Sequence, residues 1–309
     1  MIEVQNLTKY YGTKMALDKI SFSVKKGEIL GFLGPNGAGK STAMKIITCY
    51  LSPTEGTVKV DGLDVIYHSL EVRKRIGYLP ENPPLYMDMT VKTYLEFAAK
   101  IKGVPSSKLR GSVNTVVEKC GLSRYYTTYC SSLSKGFRQR VGIAQAMIHN
   151  PMVLVLDEPT IGLDPIQIVE IRKLIKDFGG DHTVILSTHI LSEVDMTCER
   201  VIIINDGRVV AQDSTRNLRA RLPQNEQFLI EVRGDASGLR GVLERIPGVT
   251  AVKEEPGYDG VSVFTVVSAT NADIRPEVAK AAVTSNLELL QLRDVSMTLE
   301  DIFIRVTMN

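Results

Sequence analysis

Nine residues near the start of the chain have the types and the order that bind a polyphosphate. The pattern G-x-x-x-x-G-K-[ST] is matched by Gly34, Pro35, Asn36, Gly37, Ala38, Gly39, Lys40, Ser41 and Thr42. Glycines let backbone N–H groups turn toward phosphate oxygens, the helix expected after the loop adds partial positive charge, and Lys40 adds a full one. The segment therefore predicts a phosphate-binding loop, in which Ser41 is left to hold a Mg²⁺ ion.

Two adjacent carboxylates form the second chemical feature. Asp157 and Glu158 follow the apolar run Val153 to Leu156, which is typical of a buried strand. Alternation along a strand directs neighbouring side chains to different sides, so we expect Asp157 in the shell of the Mg²⁺ ion and Glu158 facing the attacking water. A solvated strand end would be the simpler interpretation of the pair alone. The phosphate-binding loop in the same chain favours the catalytic interpretation.

A second helix N-terminus is also suited to an anion. Ser134 and Gly136 lie in the segment Leu133 to Phe137, directly before a helical stretch over Arg138 to Ile148. A serine and a glycine at such a position leave backbone N–H groups close to the surface, where they can bind an oxyanion. The chain therefore carries two segments that are suited to bind phosphate.

The elements that must position these groups are those of an α/β nucleotide-binding core. β-rich runs fill residues 2 to 34, and helical periodicity within residues 83 to 150 predicts an inserted helical lobe. Buried parallel strands and helices then alternate. The strands are expected at Met152 to Leu156, Thr183 to Ser187 and Arg200 to Asn205, and the helices at Ile166 to Phe178 and Leu191 to Thr197.

The last third of the chain predicts a separate α+β domain. At 309 residues the chain is longer than a single core usually supports. The polar segment from residue 215 to 227 marks the boundary, so the predicted domains are residues 1–215 and 216–309. Beyond it the patterns follow the order β-α-β-β-α-β, which predicts a ferredoxin-like sandwich, and a last helix is expected from Leu299 to Val306.

Composition narrows the class of partner. The formal net charge of +2 gives no reason to expect nucleic acid or an anionic membrane surface, although it does not exclude a local patch. The four cysteines show neither C-x-x-C pairing nor zinc spacing, which fits reduced thiols. The N-terminus lacks the pattern of a secretory signal, and the longest apolar runs are strand-sized. We therefore expect a cytoplasmic chain that contacts a membrane only through a partner.

The order of these motifs, with His189 after the strand Thr183 to Ser187, resembles that of the ATP-binding subunits of ABC transporters. The resemblance covers residues 1 to about 215. It implies a P-loop NTPase (RecA-like) core with an antiparallel β subdomain and a helical subdomain. It also implies that two subunits enclose two nucleotides, so that a single chain is catalytically incomplete.

The resemblance assigns the nucleotide-binding residues. Tyr11 would stack on adenine, residues 34–42 would hold the phosphates, and Ser41 and Asp157 would organise Mg²⁺. Without the resemblance, Tyr11 would more simply be a packed aromatic ring.

The resemblance also assigns catalytic and interface residues. Glu158 would polarise the water, and His189 would contact the γ-phosphate, although alone it would more simply be a histidine at a strand end. The loop Ile161 to Asp164 would cross the dimer interface, with Asp164 near the nucleotide. Ser134 and Gly136 would reach the ATP held by the other protomer.

Three residues depart from the family pattern. Glu81 stands where a glutamine usually couples ATP to the transmembrane partner. A carboxylate binds Mg²⁺ directly but repels an unshielded γ-phosphate, so Glu81 is a candidate for both the catalytic and the metal-binding set. Lys135 replaces a glycine and Phe137 a glutamine. Lys135 would add a cation near the γ-phosphate in the other protomer, or it is a solvated lysine.

An apolar segment between the core and the helical lobe is a candidate docking surface. The segment Pro83 to Met89 contains two prolines, which preclude a regular helix. In the family this neighbourhood receives a short helix from the membrane partner. An ordinary buried loop is the other interpretation.

The sequence thus predicts an ATP hydrolase that uses ATP and Mg²⁺. Its expected partners are a second ATPase protomer, most simply a second copy, and transmembrane permease subunits at the cytoplasmic face of the membrane; no nucleic acid is expected. The C-terminal domain, the segment Ser296 to Phe303 and the context Leu79 to Asn82 resemble ATPases of ABC-2 type exporters, above all those of gliding motility and copper-enzyme maturation. The segment Ser296 to Phe303 also fits a plain amphipathic helix.

Two other classes share the nucleotide residues. Soluble ABC-type ATPases act on DNA, ribosomes or other protein complexes. They tend to carry two ATPase units or a long coiled-coil insertion, whereas this sequence has one unit and no sustained heptads. A nucleotide-gated binding module with negligible turnover is disfavoured by the presence of Glu158 and His189.

Overall fold

Strands with alternating apolar residues open the first of two compact units. The computed structural model describes residues 1–220, 227–269 and 273–294, which divide into these units between Thr215 and Arg216. The first elements are β1 (Ile2–Tyr11), β2 (Lys14–Val24), β3 (Ile29–Leu33), α1 (Lys40–Ile47), β4 (Glu55–Val60) and β5 (Leu63–Asp64). Four of these strands form an antiparallel sheet in the order β2-β1-β4-β5.

The predicted helical lobe follows this sheet. A short helix and a short strand lead into it, and the elements are α2 (Ser69–Arg75), β6 (Ile76–Leu79), α3 (Val91–Ile101), α4 (Ser106–Lys119) and α5 (Lys135–Met147). Helix α5 begins about one turn before the predicted start at Arg138, because the Ser134 side chain supplies its N-cap. Helix α4 begins directly after Pro105.

A second sheet forms the centre of the first unit. The remaining elements of this unit are β7 (Val153–Asp157), α6 (Pro165–Lys176), β8 (Thr183–Thr188), α7 (Leu191–Thr197), β9 (Arg200–Asn205) and β10 (Arg208–Ser214). The strand order is β10-β9-β3-β8-β7-β6, with β10 antiparallel to β9 and the other five strands parallel. Neither β6 nor β10 was predicted as a strand, because β6 is short and β10 carries polar residues on a sheet edge.

The parallel strands gather the candidate residues at one edge of this sheet. The phosphate-binding loop follows β3, the carboxylate pair ends β7, His189 follows β8, and Glu81 follows β6 closely. Because β3, β8, β7 and β6 are consecutive in the sheet and share one direction, their carboxyl ends meet in the same place.

The core of the first unit lies between its two sheets and encloses α1. Residues Ala43, Met44, Ile46 and Ile47 of α1 have no exposed surface and belong to one apolar cluster with β1, β2, β4 and the central strands. A helix buried on several sides is held rigidly by close packing. The N-terminus of α1 is therefore fixed relative to the sheet edge that carries the candidate residues.

The second unit has the predicted ferredoxin-like arrangement. After α8 (Thr215–Ala220) its elements are β11 (Gln227–Arg233), α9 (Leu239–Leu243), β12 (Val249–Tyr258), β13 (Val261–Ser268), α10 (Arg275–Thr284) and β14 (Glu288–Asp294). The four strands form an antiparallel sheet in the order β12-β13-β11-β14, with both helices contributing to its apolar core.

Some predictions for the C-terminal part differ from the structure or lie outside it. Residues 215–220 form α8 where a polar linker was expected, and Leu218 is buried. The expected helix from Leu299 to Val306 and the segment Ser296 to Phe303 lie outside the described residues.

All four cysteines are free. Within the described ranges, no helix has both the length and the apolar character needed to cross a bilayer.

Candidate functional site

The phosphate-binding loop joins β3 to α1 and keeps the N-terminus of α1 open. Gly39, the N-cap residue, has a left-handed φ of 105° and provides no side-chain cap. A Cβ atom at this position would also come within 2.6 Å of the Ala16 carbonyl oxygen. Glycine meets both conditions, and the first N–H groups of the helix stay without a side-chain partner. An anion is the natural ligand for such N–H groups.

Lys40 is buried beside this helix terminus among oxygen atoms. Its Nζ donates to the carbonyl oxygens of Gly34 at 2.8 Å and Pro35 at 3.2 Å. It also forms an ion pair with Glu158, at 3.4 Å from Oε1, and both side chains are almost fully buried. Charges in such surroundings are weakly screened. The ammonium group can therefore bind phosphate oxygens strongly once they replace the loop carbonyls.

Glu158 lies just beyond β7 in a left-handed backbone conformation. Its φ is 48°, so the strand ends at Asp157. The expectation that strand alternation separates the two carboxylates was therefore wrong, because a turn separates them instead. A non-glycine residue in this conformation costs about 1–3 kcal/mol unless its surroundings hold it. Here the Glu158 N–H donates to the Ser187 carbonyl oxygen at 3.0 Å.

The two carboxylate oxygens of Glu158 have different surroundings. Oε2 lies 2.8 Å from His189 Nδ1, a distance at which the ring N–H donates to it. Oε1 is buried and accepts no hydrogen bond within the part of the chain that the structure describes, although Lys40 lies within ion-pair distance. A buried carboxylate oxygen with an open lone pair is suited to take a proton from water.

Asp157 ends β7 and is almost fully buried. Its Oδ1 accepts a hydrogen bond from Ser187 Oγ at 2.6 Å. Burial, together with the negative charge of Asp157, raises the pKa of Tyr78 on the neighbouring strand β6. The Tyr78 phenol therefore stays neutral beside Asp157, and its oxygen has no hydrogen-bond partner among the described residues.

A cleft of about 670 Å³ lies over the phosphate-binding loop. It brings together nine of the residues that the sequence predicted, namely Tyr11, Asn36, Gly37, Gly39, Lys40, Ser41, Thr42, Glu81 and Glu158. Other predicted residues do not line it. These are Gly34, Pro35 and Ala38 of the loop itself, then Asp157, His189, Ser134, Lys135, Gly136 and Asp164. The structure therefore joins the loop, the base candidate and an aromatic ring, and leaves the second helix terminus apart from them.

Ile161, which was predicted only as part of the interface loop, also lines the cleft. Five further lining residues were not predicted, namely Lys14, Met15, Ala16, Asp206 and Gly207. The Asp206-Gly207 turn joins β9 to β10, and the Gly207 N–H donates to the Ala38 carbonyl oxygen at 3.0 Å. An Asp-Gly dipeptide signals a hairpin turn in sequence. Its position over the phosphate-binding loop depends on tertiary packing, so no local pattern reveals it.

Tyr11 and Glu81 occupy the accessible parts of the cleft. Tyr11 ends β1 with 47% of its surface exposed, and the Lys9 ammonium lies 5.6 Å from the centre of its ring. A half-exposed aromatic ring offers a face for stacking on a planar base. Glu81 is exposed and lies shortly after β6.

The N-terminus of α5 is capped by its own serine. Ser134 Oγ accepts a hydrogen bond from the Phe137 N–H at 3.4 Å, a long bond for an N-cap. Gly136 is buried, and a Cβ atom there would stand 2.5 Å from Gln167 Cδ. The Lys135 ammonium lies directly against Gly162. The segment around Ser134 therefore contacts the loop Ile161 to Asp164 and the start of α6 within the same chain.

Asp164 serves as the N-cap of α6. Its Oδ1 accepts a hydrogen bond from the Gln167 N–H at 2.9 Å. In the single chain this carboxylate therefore has a helix-capping role.

Phe137, which stands where the family has a glutamine, packs within the helical lobe. Its ring centre lies 4.0 Å from that of Tyr125, and the Arg140 guanidinium lies 5.8 Å from it. Arg140 in turn pairs with Glu170 at 2.5 Å. These contacts explain an aromatic residue at this position by packing inside one chain.

The residues present fit a Mg²⁺ ion that enters together with phosphate groups. Among residues 1–220, 227–269 and 273–294, no group of three or more His, Cys, Asp or Glu side chains is arranged to hold a metal. The cleft offers the hydroxyl of Ser41 and the carboxylate of Glu81. Mg²⁺ prefers hard oxygen ligands, keeps several waters and takes phosphate oxygens, so it does not need a full protein shell.

Comparison with known proteins supplies relatives for this arrangement. Residues 17–161 match the family described as ABC transporter. The chain is 32% identical to the uncharacterized ABC transporter ATP-binding protein YhcH of Bacillus subtilis (strain 168), over 99% of this chain and 96% of that protein. It is 36% identical to the bacitracin transport ATP-binding protein BcrA of Bacillus licheniformis, over 74% of each chain.

A solved structure shares the fold of the first unit. It is a dimeric ATP-binding cassette in a post-hydrolysis state, bound to ADP and Pi. The TM-score is 0.64 at 29% identity, and the match covers 69% of this chain and 98% of the other.

Proposed function

The chain belongs to the family of ABC transporter ATP-binding proteins, and from this premise we propose that two copies enclose two ATP molecules, hydrolyse them and thereby drive a transmembrane exporter. It is an ATP hydrolase. The observation that carries the reaction is the contact of the buried Glu158 side chain with the buried Lys40 ammonium and the partly exposed His189 ring, with Glu158 Oε1 accepting no hydrogen bond among the described residues.

In the proposed reaction, the triphosphate lies over the N-terminus of α1. Its oxygens replace the Gly34 and Pro35 carbonyls as partners of Lys40. Water attacks the γ-phosphorus and gives a proton to Glu158 Oε1, while the bond from that phosphorus to the bridging oxygen breaks and ADP leaves. His189 holds Glu158 through Oε2 and contacts the γ-phosphate, and Tyr11 stacks on adenine.

Mg²⁺ is proposed to bind through Ser41 and Asp157, and it would supply positive charge that offsets the charge developing on the phosphates. Glu81 is a further candidate ligand because it lines the same cleft. A glutamine in its place would offer an amide and no charge, so the carboxylate should make turnover more dependent on Mg²⁺.

The second half of each site is proposed to come from another copy of the chain. Ser134, Lys135 and Gly136 do not line the cleft, yet they form a helix N-terminus suited to an anion. Two copies in opposite orientation would place each α5 terminus over the other copy's ATP, with Asp164 and its loop at the interface. The solved relative described as a dimer supports this proposal.

The exporter assignment rests on relatives and on one surface. Bacitracin transport is named for BcrA of Bacillus licheniformis and lantibiotic transport for SrtF of Streptococcus pyogenes, at 36% identity each. In the segment Pro83 to Met89, Tyr86 and Met87 are about half exposed, and the Tyr86 ring packs on Phe97 at 5.4 Å between ring centres. An exposed apolar segment held by such packing supports docking of a permease helix. The chain would then lie peripherally on the cytoplasmic face of the membrane.

A direct test is to identify what the chain binds in its native cells. A tagged Glu158→Gln variant should be purified with Mg-ATP after mild detergent extraction, since slow hydrolysis prolongs the ATP-bound state. Co-purification of a polytopic membrane protein in stoichiometric amount is the expected result. Recovery with DNA, ribosomes or a soluble complex instead would favour the rival class of soluble ABC-type ATPases.

A further inference from the structure

A buried carboxylate next to the candidate catalytic residues takes no part in the reaction described above. Glu193 lies in the first turn of α7 and is 1% exposed. A carboxylate loses much solvation on burial, so its position requires compensating hydrogen bonds. Glu193 was not among the residues predicted from the sequence.

Both oxygens of Glu193 accept hydrogen bonds from threonines, one in the loop after β7 and one at the end of β8. Thr160 Oγ1 donates to Oε1 at 2.5 Å, and Thr188 Oγ1 donates to Oε2 at 2.8 Å. Both threonines are buried, with 2% and 0% of their surface exposed. Glu193 therefore bridges the segment after β7 to the end of β8.

The two bridged segments carry the catalytic pair. Thr160 lies two residues beyond Glu158, and Thr188 directly precedes His189. The Thr188 hydroxyl is also fixed in direction, because its oxygen accepts a hydrogen bond from the Ile190 N–H at 3.1 Å while its proton points to Glu193. The Glu193 N–H donates to the Ile190 carbonyl oxygen at 3.2 Å. The turn that holds His189 is thereby attached to α7 at two points.

We propose that Glu193 is a positioning residue that sets the Glu158–His189 contact by bridging Thr160 and Thr188. The proposal rests on the proposed role of Glu158 and His189 in hydrolysis. Glu158 occupies an unfavourable backbone conformation, so its orientation depends on the surrounding contacts that hold it. The bridge also fixes Thr160, the residue before Ile161. Ile161 lines the cleft and is the first residue of the interface loop. Loss of the bridge should therefore slow the chemical step more than it weakens ATP binding.

The test compares two substitutions of Glu193 in the full-length chain with a control on the same helix. Glu193→Ala removes both bonds. Glu193→Gln keeps the shape: its carbonyl accepts from one threonine, and its amide donates to the other hydroxyl oxygen. Thr197→Val is the control, because Thr197 is a buried residue of α7 whose hydroxyl has no hydrogen-bond partner within the described ranges. Steady-state ATP hydrolysis, equilibrium binding of a fluorescent ATP analogue and thermal unfolding are measured for each.

The proposal predicts a fall in kcat of about 10- to 100-fold for Glu193→Ala, the size expected when a catalytic group is displaced by about 1 Å. KM and the analogue Kd should stay within about 3-fold, since Lys40 and the loop are untouched. Glu193→Gln should recover most of the rate, and Thr197→Val should match the parent.

Three results would overturn the proposal. One is an unchanged kcat in Glu193→Ala. Another is a glutamine variant as slow as the alanine variant, because a bridge of hydrogen bonds would then not be what matters. The third is a loss of analogue binding equal to the loss of kcat, which indicates a purely structural role.

If Glu193→Ala does not fold, Thr160→Val and Thr188→Val each remove one bond, and each should lower kcat without changing the analogue Kd. A parental chain that does not hydrolyse ATP at all would instead contradict the proposed function.

Discussion

The N-termini of α1 and α5 are both suited to bind an anion, yet they differ in their N-cap residues and in the position of the neighbouring lysine. At α1 the N-cap is a left-handed glycine with no side-chain cap, and the buried ammonium of Lys40 lies beside it. At α5 the N-cap is Ser134, which bonds its own helix at 3.4 Å, and Lys135 rests against Gly162. Only the α1 terminus opens into the cleft together with Glu158.

This difference supports the proposal that each chain supplies one half that binds a nucleotide and a separate half that covers the nucleotide of the other copy. The α1 half contains the phosphate-binding loop, the candidate base Glu158 and the exposed ring of Tyr11, so we expect a single chain to bind ATP. The α5 terminus contacts Gly162, in the loop that begins at Ile161, and Gln167 at the start of α6. Substitutions in the two halves should therefore fail in different ways.

The largest expected effect is on the rate of ATP hydrolysis, through a substitution in the α1 half alone. Glu158→Gln removes the proton acceptor while keeping the shape, so kcat for ATP should fall by about 10²- to 10⁴-fold. ATP affinity should change little, because Lys40 and the uncapped N-terminus of α1, which are expected to bind the phosphates, are unchanged. Phosphate release measures the rate, and Glu71→Gln, at an exposed position of α2, is the control. Turnover at the parental rate would show that Glu158 is not the base.

A somewhat smaller effect is expected on binding. Lys40→Ala removes a buried cation whose hydrogen bonds to charged groups contribute about 1.5–3 kcal/mol each, so affinity for ATP should fall by about 100-fold. Titration with a fluorescent ATP analogue measures it. Lys45→Ala is the matched control, because Lys45 lies in the last turn of the same helix. Equal affinities for the two variants would mean that the loop binds nucleotide without its lysine.

The smallest effect concerns metal coupling in the α1 half. Glu81→Gln removes one negative charge from the cleft and should leave ATP binding unchanged. The Mg²⁺ concentration that gives half-maximal turnover should shift by about 2- to 5-fold, since a carboxylate is a better Mg²⁺ ligand than an amide. Overlapping Mg²⁺ titrations of the variant and the parent would contradict a metal-linked role for Glu81.

Local patterns predicted much of the fold and most of the cleft. Patterns of neighbouring residues predict three features: the glycine-rich loop, the buried strand before Asp157 and the β-α-β-β-α-β order of the second unit. The phosphate-binding loop therefore appears where the pattern predicts it, between β3 and α1. The order of secondary structure in the second unit follows for the same reason.

What the sequence did not reveal depends on contacts between distant segments. The left-handed conformation of Glu158 is held by a hydrogen bond to Ser187 on another strand, and no residue type near Glu158 predicts it. The Asp206-Gly207 turn reaches the cleft only because β9 lies beside β3. The Thr160–Glu193–Thr188 bridge likewise joins residues from a loop, a helix and the end of β8.

The most direct test of the two-half account is the mass of the Glu158→Gln chain with and without Mg-ATP, measured by sedimentation velocity. The 34.1 kDa chain is expected to double in mass with Mg-ATP. Adding Ser134→Arg should return it to one copy with ATP still bound, whereas adding Ser123→Arg, at an exposed position of the same lobe, should not. A Ser134→Arg chain that still doubles with ATP, or a parent that never does, would contradict the claim that α5 covers the other copy's nucleotide.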